Sequence, residues 1–248
     1  MFKNLEGQRI PSVVFKVREG VAWKDVNSDD LFQGKTVILF SLPGAFTPTC
    51  SGFHVPCFNE LAPVFFENGV DDIICLSVND SFVMQAWQLE QQADHIRFIP
   101  DGNGEFSQAM GMLADKQELG FGQRAWRYSM LVKDGIIEKM FIETEDEDVS
   151  DPYIVSDAET MLNHINPNAH KPIDIAIFTK KGCPYCAKTK DMLSAHDLAY
   201  EEMVLGEDYS LRALRTITNA KTVPQVYING LHIGGSEALE AWFEQRKN

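Results

Sequence analysis

Apolar positions recur with two periods along this chain, and the period switches many times. Residues 12–17 and 21–27 alternate in twos around Gly20, which predicts a short hairpin. Val37-Ile38-Leu39-Phe40 is a continuous apolar run and predicts a buried strand over 36–41. Leu42 to Cys50, Leu-Pro-Gly-Ala-Phe-Thr-Pro-Thr-Cys, then breaks regular pairing with two prolines and a glycine. Helical spacing follows, with Val55, Phe58, Leu61 and Phe65 as an inward face. Residues 72–78 read as a second buried strand, and Ser81 as the cap of a helix running to Gln92. A strand at 96–99 ends at Pro100-Asp101-Gly102, and a short helix is expected near 103–112. Residues 127–132 and 136–142 flank Lys133-Asp134-Gly135, a hairpin signal. Ser156-Asp157-Ala158-Glu159 reads as a capping box that opens a helix to about residue 165.

Asn166 to Pro172 has no apolar period and carries two prolines, so it is the expected linker between a domain at 1–165 and another at 173–248. Seven residues span at most about 25 Å when extended. After it the plan restarts: a strand at 173–178, a helix from Pro184 to about Ser194, a strand at 200–204 and a helix over about 208–218. Strands at 225–228 and 231–233 flank Asn229-Gly230, a type I′ turn signal. Ser236 is expected to cap a last helix with Leu239, Trp242 and Phe243 inward. Strands alternating with helices predict an α/β class, with two tandem domains of mixed sheets flanked by helices.

Charge changes the picture of partners. The net charge is −14, which argues against nucleic acid and anionic membranes. It is uneven: 173–248 holds 9 basic and 10 acidic residues, leaving 13 and 26 in 1–172. The acidic run from Glu143 to Asp148 is expected to be a solvated loop. No run has membrane-span length, and the start of the chain has no basic-then-apolar leader pattern, so a cytoplasmic location is expected. Five cysteines, Cys50, Cys57, Cys75, Cys183 and Cys186, form no even-numbered framework, which favours reduced, reactive thiols.

Cys50 sits where a strand hands over to a helix. Free N–H groups and the helix dipole favour an anionic sulfur there. Thr47 is positioned to offer a hydroxyl to the sulfur or to a bound oxygen, and Pro43 adds an apolar wall without a donor. A lone cysteine beside a turn is more often a small buried hydrophobe, but Pro43-x3-Thr47-x2-Cys50 between strand and helix reverses that reading. The stretch resembles the peroxidatic site of peroxiredoxins, and with Ser51, His54 and Pro56 it is similar to the type-5 branch over roughly residues 1–165. The resemblance implies a thioredoxin-like fold and reaction with hydroperoxides. It matches Arg127, just before an apolar strand, to the second active-site arginine, which would stabilise charge on sulfur and leaving oxygen. Arg124 is the competitor, with surface exposure as its expected fate. His54, at i+4 from Cys50, is expected to be structural.

Cys183-Pro184-Tyr185-Cys186 also follows a strand and opens a helix. The helix start and Lys180 and Lys181 favour ionised Cys183, so Cys183 should attack and the more enclosed Cys186 resolve. No second Cys pair stands at zinc-ligand spacing, so no metal is expected. With Thr222-Val223-Pro224 and Gly234-Gly235-Ser236, residues 173–248 resemble a glutaredoxin. That resemblance implies a cis bond before Pro224 and glutathione paired with Val223. It further implies glutathione's carboxylates held by Lys180 and by the Gly235 and Ser236 N–H groups, with Tyr185 flanking the disulfide. Glu237 stands where many glutaredoxins carry Asp.

Cys57 lies about 10 Å along the helix from Cys50 by rise per residue, too far for a disulfide unless the helix unwinds. Cys75 falls inside an apolar strand. The first domain therefore needs an outside reductant, and the expected cycle is glutathione-dependent peroxide reduction through Cys50, with glutathione as reducing co-substrate and Cys183 recycling. Homo-oligomers are implied by the peroxiredoxin resemblance. The alternatives are a thioredoxin-driven peroxidase with a separate deglutathionylase domain, a redox relay to client proteins, and iron–sulfur assembly, which the glutaredoxin resemblance disfavours through Pro184-Tyr185.

Overall fold

The structure, a computed structural model, describes residues 2–145 and 151–246. The chain divides into two compact units, Met1–Lys171 and Pro172–Asn248.

In the first unit, β1 (Val14–Glu19) and β2 (Ala22–Asn27) form the expected hairpin, and a short helix α1 (Ser28–Phe32) follows. The apolar runs become β3 (Thr36–Ser41) and, beyond helix α2 (Val55–Glu67), β4 (Asp72–Ser77). Helix α3 (Ser81–Glu90), β5 (Arg97–Pro100) and α4 (Glu105–Ala109) come next. A small ribbon of β6 (Leu113–Asp115) and β7 (Gln123–Ala125) precedes the hairpin β8 (Tyr128–Lys133) and β9 (Ile136–Ile142), and α5 (Ala158–Ile165) closes the unit. The main sheet runs β5-β4-β3-β8-β9. Its first three strands are parallel and the last two antiparallel. One apolar layer joins the sheet to α2, α3 and α5 and contains Phe40, Cys50, Phe58, Phe65, Cys75 and Trp87; a second lies on the opposite face.

The second unit repeats that logic with fewer parts: β10 (Ile175–Thr179), α6 (Pro184–Ser194), β11 (Glu201–Val204), α7 (Leu211–Thr218), β12 (Gln225–Ile228), β13 (Leu231–Gly234) and α8 (Ser236–Gln245). Its sheet order is β11-β10-β12-β13, one parallel pair followed by two antiparallel ones. Of the segment read as linker, Asn166 donates to Asn68 at 2.8 Å and Ala169 packs on the first unit's core.

Several expectations need correction. Three helix caps shift by one residue. Asp80, not Ser81, accepts from the Phe82 and Val83 N–H groups, while the Ser81 hydroxyl donates to the Lys16 carbonyl. Asp157, not Ser156, caps α5. Gly235, not Ser236, is the cap of α8 and brings no side chain to it. In each case two adjacent residues suit a cap, and the neighbouring contacts select one. Glu143 is not solvated: it is 2 % exposed. Asp146, Glu147 and Asp148 of the same run lie outside the described residues.

Candidate active site

The loop before Cys50 is clamped from the end of β4. Leu42 N–H donates to the Leu76 carbonyl, and Ala45 N–H to the side-chain oxygen of Asn79 at 3.0 Å. Phe46 turns the chain with φ 62°, a left-handed conformation rare for an aromatic residue. A helical turn begins at 48–49, and residues Cys50–His54 form a π-turn in which the Val55 N–H reaches the Cys50 carbonyl. Pro56 explains the wider turn: it has no N–H for the Gly52 carbonyl, and its ring needs room there. Ser51 is fixed by the Trp87 indole N–H at 3.0 Å.

Cys50 is completely buried. Arg127, 1 % exposed, reaches it from the start of β8: one terminal nitrogen (Nη1) lies 3.5 Å from Sγ and 3.2 Å from His54 Nδ1. The other (Nη2) pairs with the Asp151 carboxylate, and the Nε–H has no partner among the described residues. Burial opposes the guanidinium charge, but the Cys50 sulfur and Asp151 outweigh it and hold the pKa above its ordinary value. His54 is pushed well below its ordinary value by burial and then by the Arg127 charge. Its neutral ring accepts from Arg127 at Nδ1 and reaches the Ser156 carbonyl with Nε2 at 3.2 Å. It packs among Phe40, Phe58 and Tyr153.

The Thr47 hydroxyl donates to the Gly44 carbonyl at 2.9 Å and not to sulfur. Its lone pairs remain for an incoming donor. Pro43 is half-buried in the same loop. Arg124 is half-buried and spends its donors on the Val78 and Phe121 carbonyls, so it does not compete for the site. Sequence reasoning missed the segment 151–156. Asp151 meets Arg127, the Tyr153 ring lies 5.8 Å from the guanidinium, and Ser156 holds His54. Glu143 anchors that segment: one carboxylate oxygen accepts the Ile154, Val155 and Ser156 N–H groups and the Ser156 hydroxyl, all at 2.8–2.9 Å. The available signal was position, since Glu143 directly continues β9.

The other cysteines of this unit are poor nucleophiles. Burial pushes Cys57 up, opposed by the Tyr153 hydroxyl and reinforced by Glu60, Asp157 and Glu159. Burial, then Cys50, pushes Cys75 well up.

In the second unit Cys183 is the N-cap of α6, and its sulfur accepts from the Cys186 N–H at 3.3 Å. Burial opposes its ionisation, yet bonds from the Cys186 thiol and the Cys186 and Tyr185 N–H groups, with the Lys180 charge, keep its pKa below the ordinary value. Burial and the neighbouring Cys183 push Cys186 up to about 11. Lys181 pairs with Glu207. A cleft of about 430 Å³ is lined by Lys180, Cys183, Tyr185, Lys221, Thr222 and Val223. The Val223–Pro224 bond is cis, and the Val223 carbonyl lies 3.8 Å from the Cys183 sulfur. Gly235 and Ser236 stand at the start of α8, where a Cβ on Gly235 would lie 3.6 Å from the Pro224 carbonyl. Lys221 is a cation that sequence reasoning passed over. Two sulfurs, each held at a strand-to-helix junction, define a thiol redox protein with two centres.

The comparisons with known proteins agree. The redoxin family model matches residues 5–162 and the glutaredoxin model residues 175–233. The hybrid peroxiredoxin hyPrx5 of Haemophilus influenzae is 55% identical over 240 residues, covering 97% of this chain and 99% of that protein. A reduced Prx3 of Vibrio vulnificus, solved in complex with hydrogen peroxide, matches with a TM-score of 0.61 at 36% identity, covering 66% of this chain and 99% of that one. The 1-Cys peroxiredoxin of Plasmodium falciparum gives a TM-score of 0.61 at 34% identity over the same shares. This chain belongs to the peroxiredoxin branch of the redoxin family and carries a C-terminal glutaredoxin domain. It is a peroxidase oxidoreductase with two thioredoxin-like domains. Among the described residues no helix is long and apolar enough to cross a membrane.

Proposed function

We propose that the chain reduces hydrogen peroxide and alkyl hydroperoxides with electrons from glutathione. The Cys50 sulfur attacks one peroxide oxygen, the O–O bond breaks, and the other oxygen leaves as water or alcohol after taking a proton. Cys50 becomes a sulfenic acid. Arg127 stabilises the charge that moves from sulfur to the leaving oxygen, and its spare Nε–H suits a peroxide oxygen as acceptor. Thr47 accepts the hydroperoxide O–H. His54, neutral and doubly bonded, keeps the guanidinium in place.

A glutathione thiol then condenses with the sulfenic acid, releasing water and leaving glutathione in disulfide linkage to Cys50. Cys183 attacks the glutathione sulfur and frees Cys50. A second glutathione attacks this mixed disulfide, freeing Cys183 and forming oxidised glutathione; alternatively Cys186 closes a disulfide with Cys183, releases reduced glutathione, and two glutathione molecules then reduce that disulfide to give oxidised glutathione. Either way one peroxide consumes two thiols.

One observation carries the glutathione assignment. The other two first-unit thiols are held protonated, whereas Cys183 is held low beside a cleft with Lys180, Tyr185, Thr222, Val223 and Lys221. The lysines suit glutathione's carboxylates and the Val223 backbone its peptide. Reduced thiols throughout the cycle favour a reducing compartment such as the cytoplasm. The exposed Phe46 and Phe53, four residues before and three after the buried Cys50, favour self-association, which sedimentation would test.

The test is NADPH oxidation driven by glutathione and glutathione reductase. Cys50→Ser should abolish peroxide consumption. Cys183→Ser should stop turnover while leaving one stoichiometric oxidation of Cys50. Steady turnover with thioredoxin and thioredoxin reductase but not with glutathione would refute the assignment.

A further inference from the structure

We propose that Asp151 sets the charge preference of the peroxide site, favouring uncharged hydroperoxides over oxidants that carry an anionic group. The inference rests on the peroxidase reading of Cys50 and adds a substrate class to it. Among the described residues Arg127 is the cation bonded to the reacting sulfur, and it is shared: one terminal nitrogen serves Cys50 and His54, the other Asp151. His54 is neutral, so it adds no charge. The sulfur in its reacting form and the Asp151 carboxylate together more than balance the guanidinium. An incoming anion therefore meets net negative charge at the cation that would otherwise attract it.

The two ends of the ion pair differ in exposure. The Arg127 side chain is 1 % exposed and that of Asp151 40 %. Asp151 is thus the solvent-facing end of the pair. Its place is built rather than incidental, because Glu143 ties down residues 154–156 of the same segment. An uncharged hydroperoxide needs only a donor and an acceptor, which the Arg127 Nε–H and the Thr47 hydroxyl supply. It needs no free cation.

The test compares a matched pair of substrates on the full chain: cumene hydroperoxide carrying a para-carboxylate, and its methyl ester. The readout is the ratio of kcat/KM for ester over acid, followed by Cys50 oxidation in stopped flow. Asp151→Asn keeps an oxygen for the Arg127 nitrogen and removes only the charge. One half-screened charge at this range is worth about tenfold, so the ratio should fall about tenfold in D151N. Glu118→Gln, an exposed charge in the same unit, should leave the ratio within about twofold, which separates a local effect from the overall field. Raising salt should narrow the ratio in the native chain more than in D151N. An unchanged ratio in D151N would overturn the proposal, as would parallel loss of both rates, because Asp151 would then only position Arg127. If the native chain reduced neither substrate faster than C50S, the peroxidase reading itself would fall.

Discussion

Replacing Glu143 tests whether a buried carboxylate at the end of β9 organises the peroxide site. One of its oxygens accepts four hydrogen bonds, from three N–H groups and one hydroxyl. Bonds to a charged acceptor contribute about 1.5 kcal/mol each at the low end, so their sum approaches about 6 kcal/mol. That sum overstates the loss in Glu143→Ala. Ile154 is 65% exposed and Val155 36%, so their freed N–H groups regain water. Ser156 is fully buried, and its N–H and hydroxyl stay without partners. Two of the four bonds are therefore lost without compensation, which predicts a destabilisation of about 3 kcal/mol. Denaturant unfolding of the first unit, followed by tryptophan fluorescence, measures it directly; Trp126 is a suitable probe because its indole N–H donates to the Glu143 carbonyl at 3.0 Å. Glu143→Gln keeps one acceptor oxygen and should cost less than half as much. Both variants should also slow Cys50 oxidation, because the Ser156 carbonyl holds His54 and His54 holds Arg127. A loss below about 1 kcal/mol in E143A, with an unaltered rate of Cys50 oxidation, would refute this reasoning.

Arg127→Lys should lower kcat/KM for hydrogen peroxide about a hundredfold or more in stopped flow, since one ammonium cannot serve sulfur, imidazole and carboxylate together. A loss under fivefold would mean that the guanidinium is not the electrostatic partner of the sulfur. His54 is pushed well below its ordinary value, so its neutral form contributes stability that is complete above about pH 6.5, the unfolded value, and is lost as pH falls toward the folded one. In His54→Gln this acid-side slope should vanish from the unfolding free energy; a slope shared equally by both proteins would count against it. Iodoacetamide at neutral pH should label Cys183 well before Cys186, whose pKa is pushed up to about 11. Mass spectrometry of brief exposures reads the order, and the reverse order would contradict the assigned roles.

The strands of both sheets were legible because each is a short apolar run between breakers, and burial on both faces leaves few other arrangements for Val37–Phe40 or Ile73–Leu76. Cys50, Thr47, Cys183 and Cys186 were legible because local backbone places them, at strand-to-helix junctions that proline and glycine announce. The caps were legible only to within one residue, since Asp80-Ser81 and Ser156-Asp157 each offer two suitable side chains and a distant contact decides between them. The three-residue strands β6 and β7 are too short to show a period. Asp151, Tyr153 and Glu143 were illegible for a different reason. They act through contacts of residues 151–156, which are far from Arg127 and His54 in sequence, and an acidic run looks the same in sequence whether one of its members is solvated or gathers four donors.

The two sulfurs show how one architecture yields two chemistries. Cys183 is the N-cap itself, so its sulfur takes N–H donors from the first turn of α6, and its partner cation, Lys180, lies only three residues upstream in sequence. Everything that tunes it is local, and it stands beside an open cleft where another thiol can reach it. Cys50 lies within the helical segment, in a π-turn, completely buried, and its cation, Arg127, comes from the residue just before β8, 77 positions away in sequence. A buried sulfur governed by a guanidinium distant in sequence suits reaction with a hydroperoxide; a cap sulfur at a cleft suits exchange with a peptide thiol. The division of labour between the two domains follows from where each cysteine sits relative to its helix.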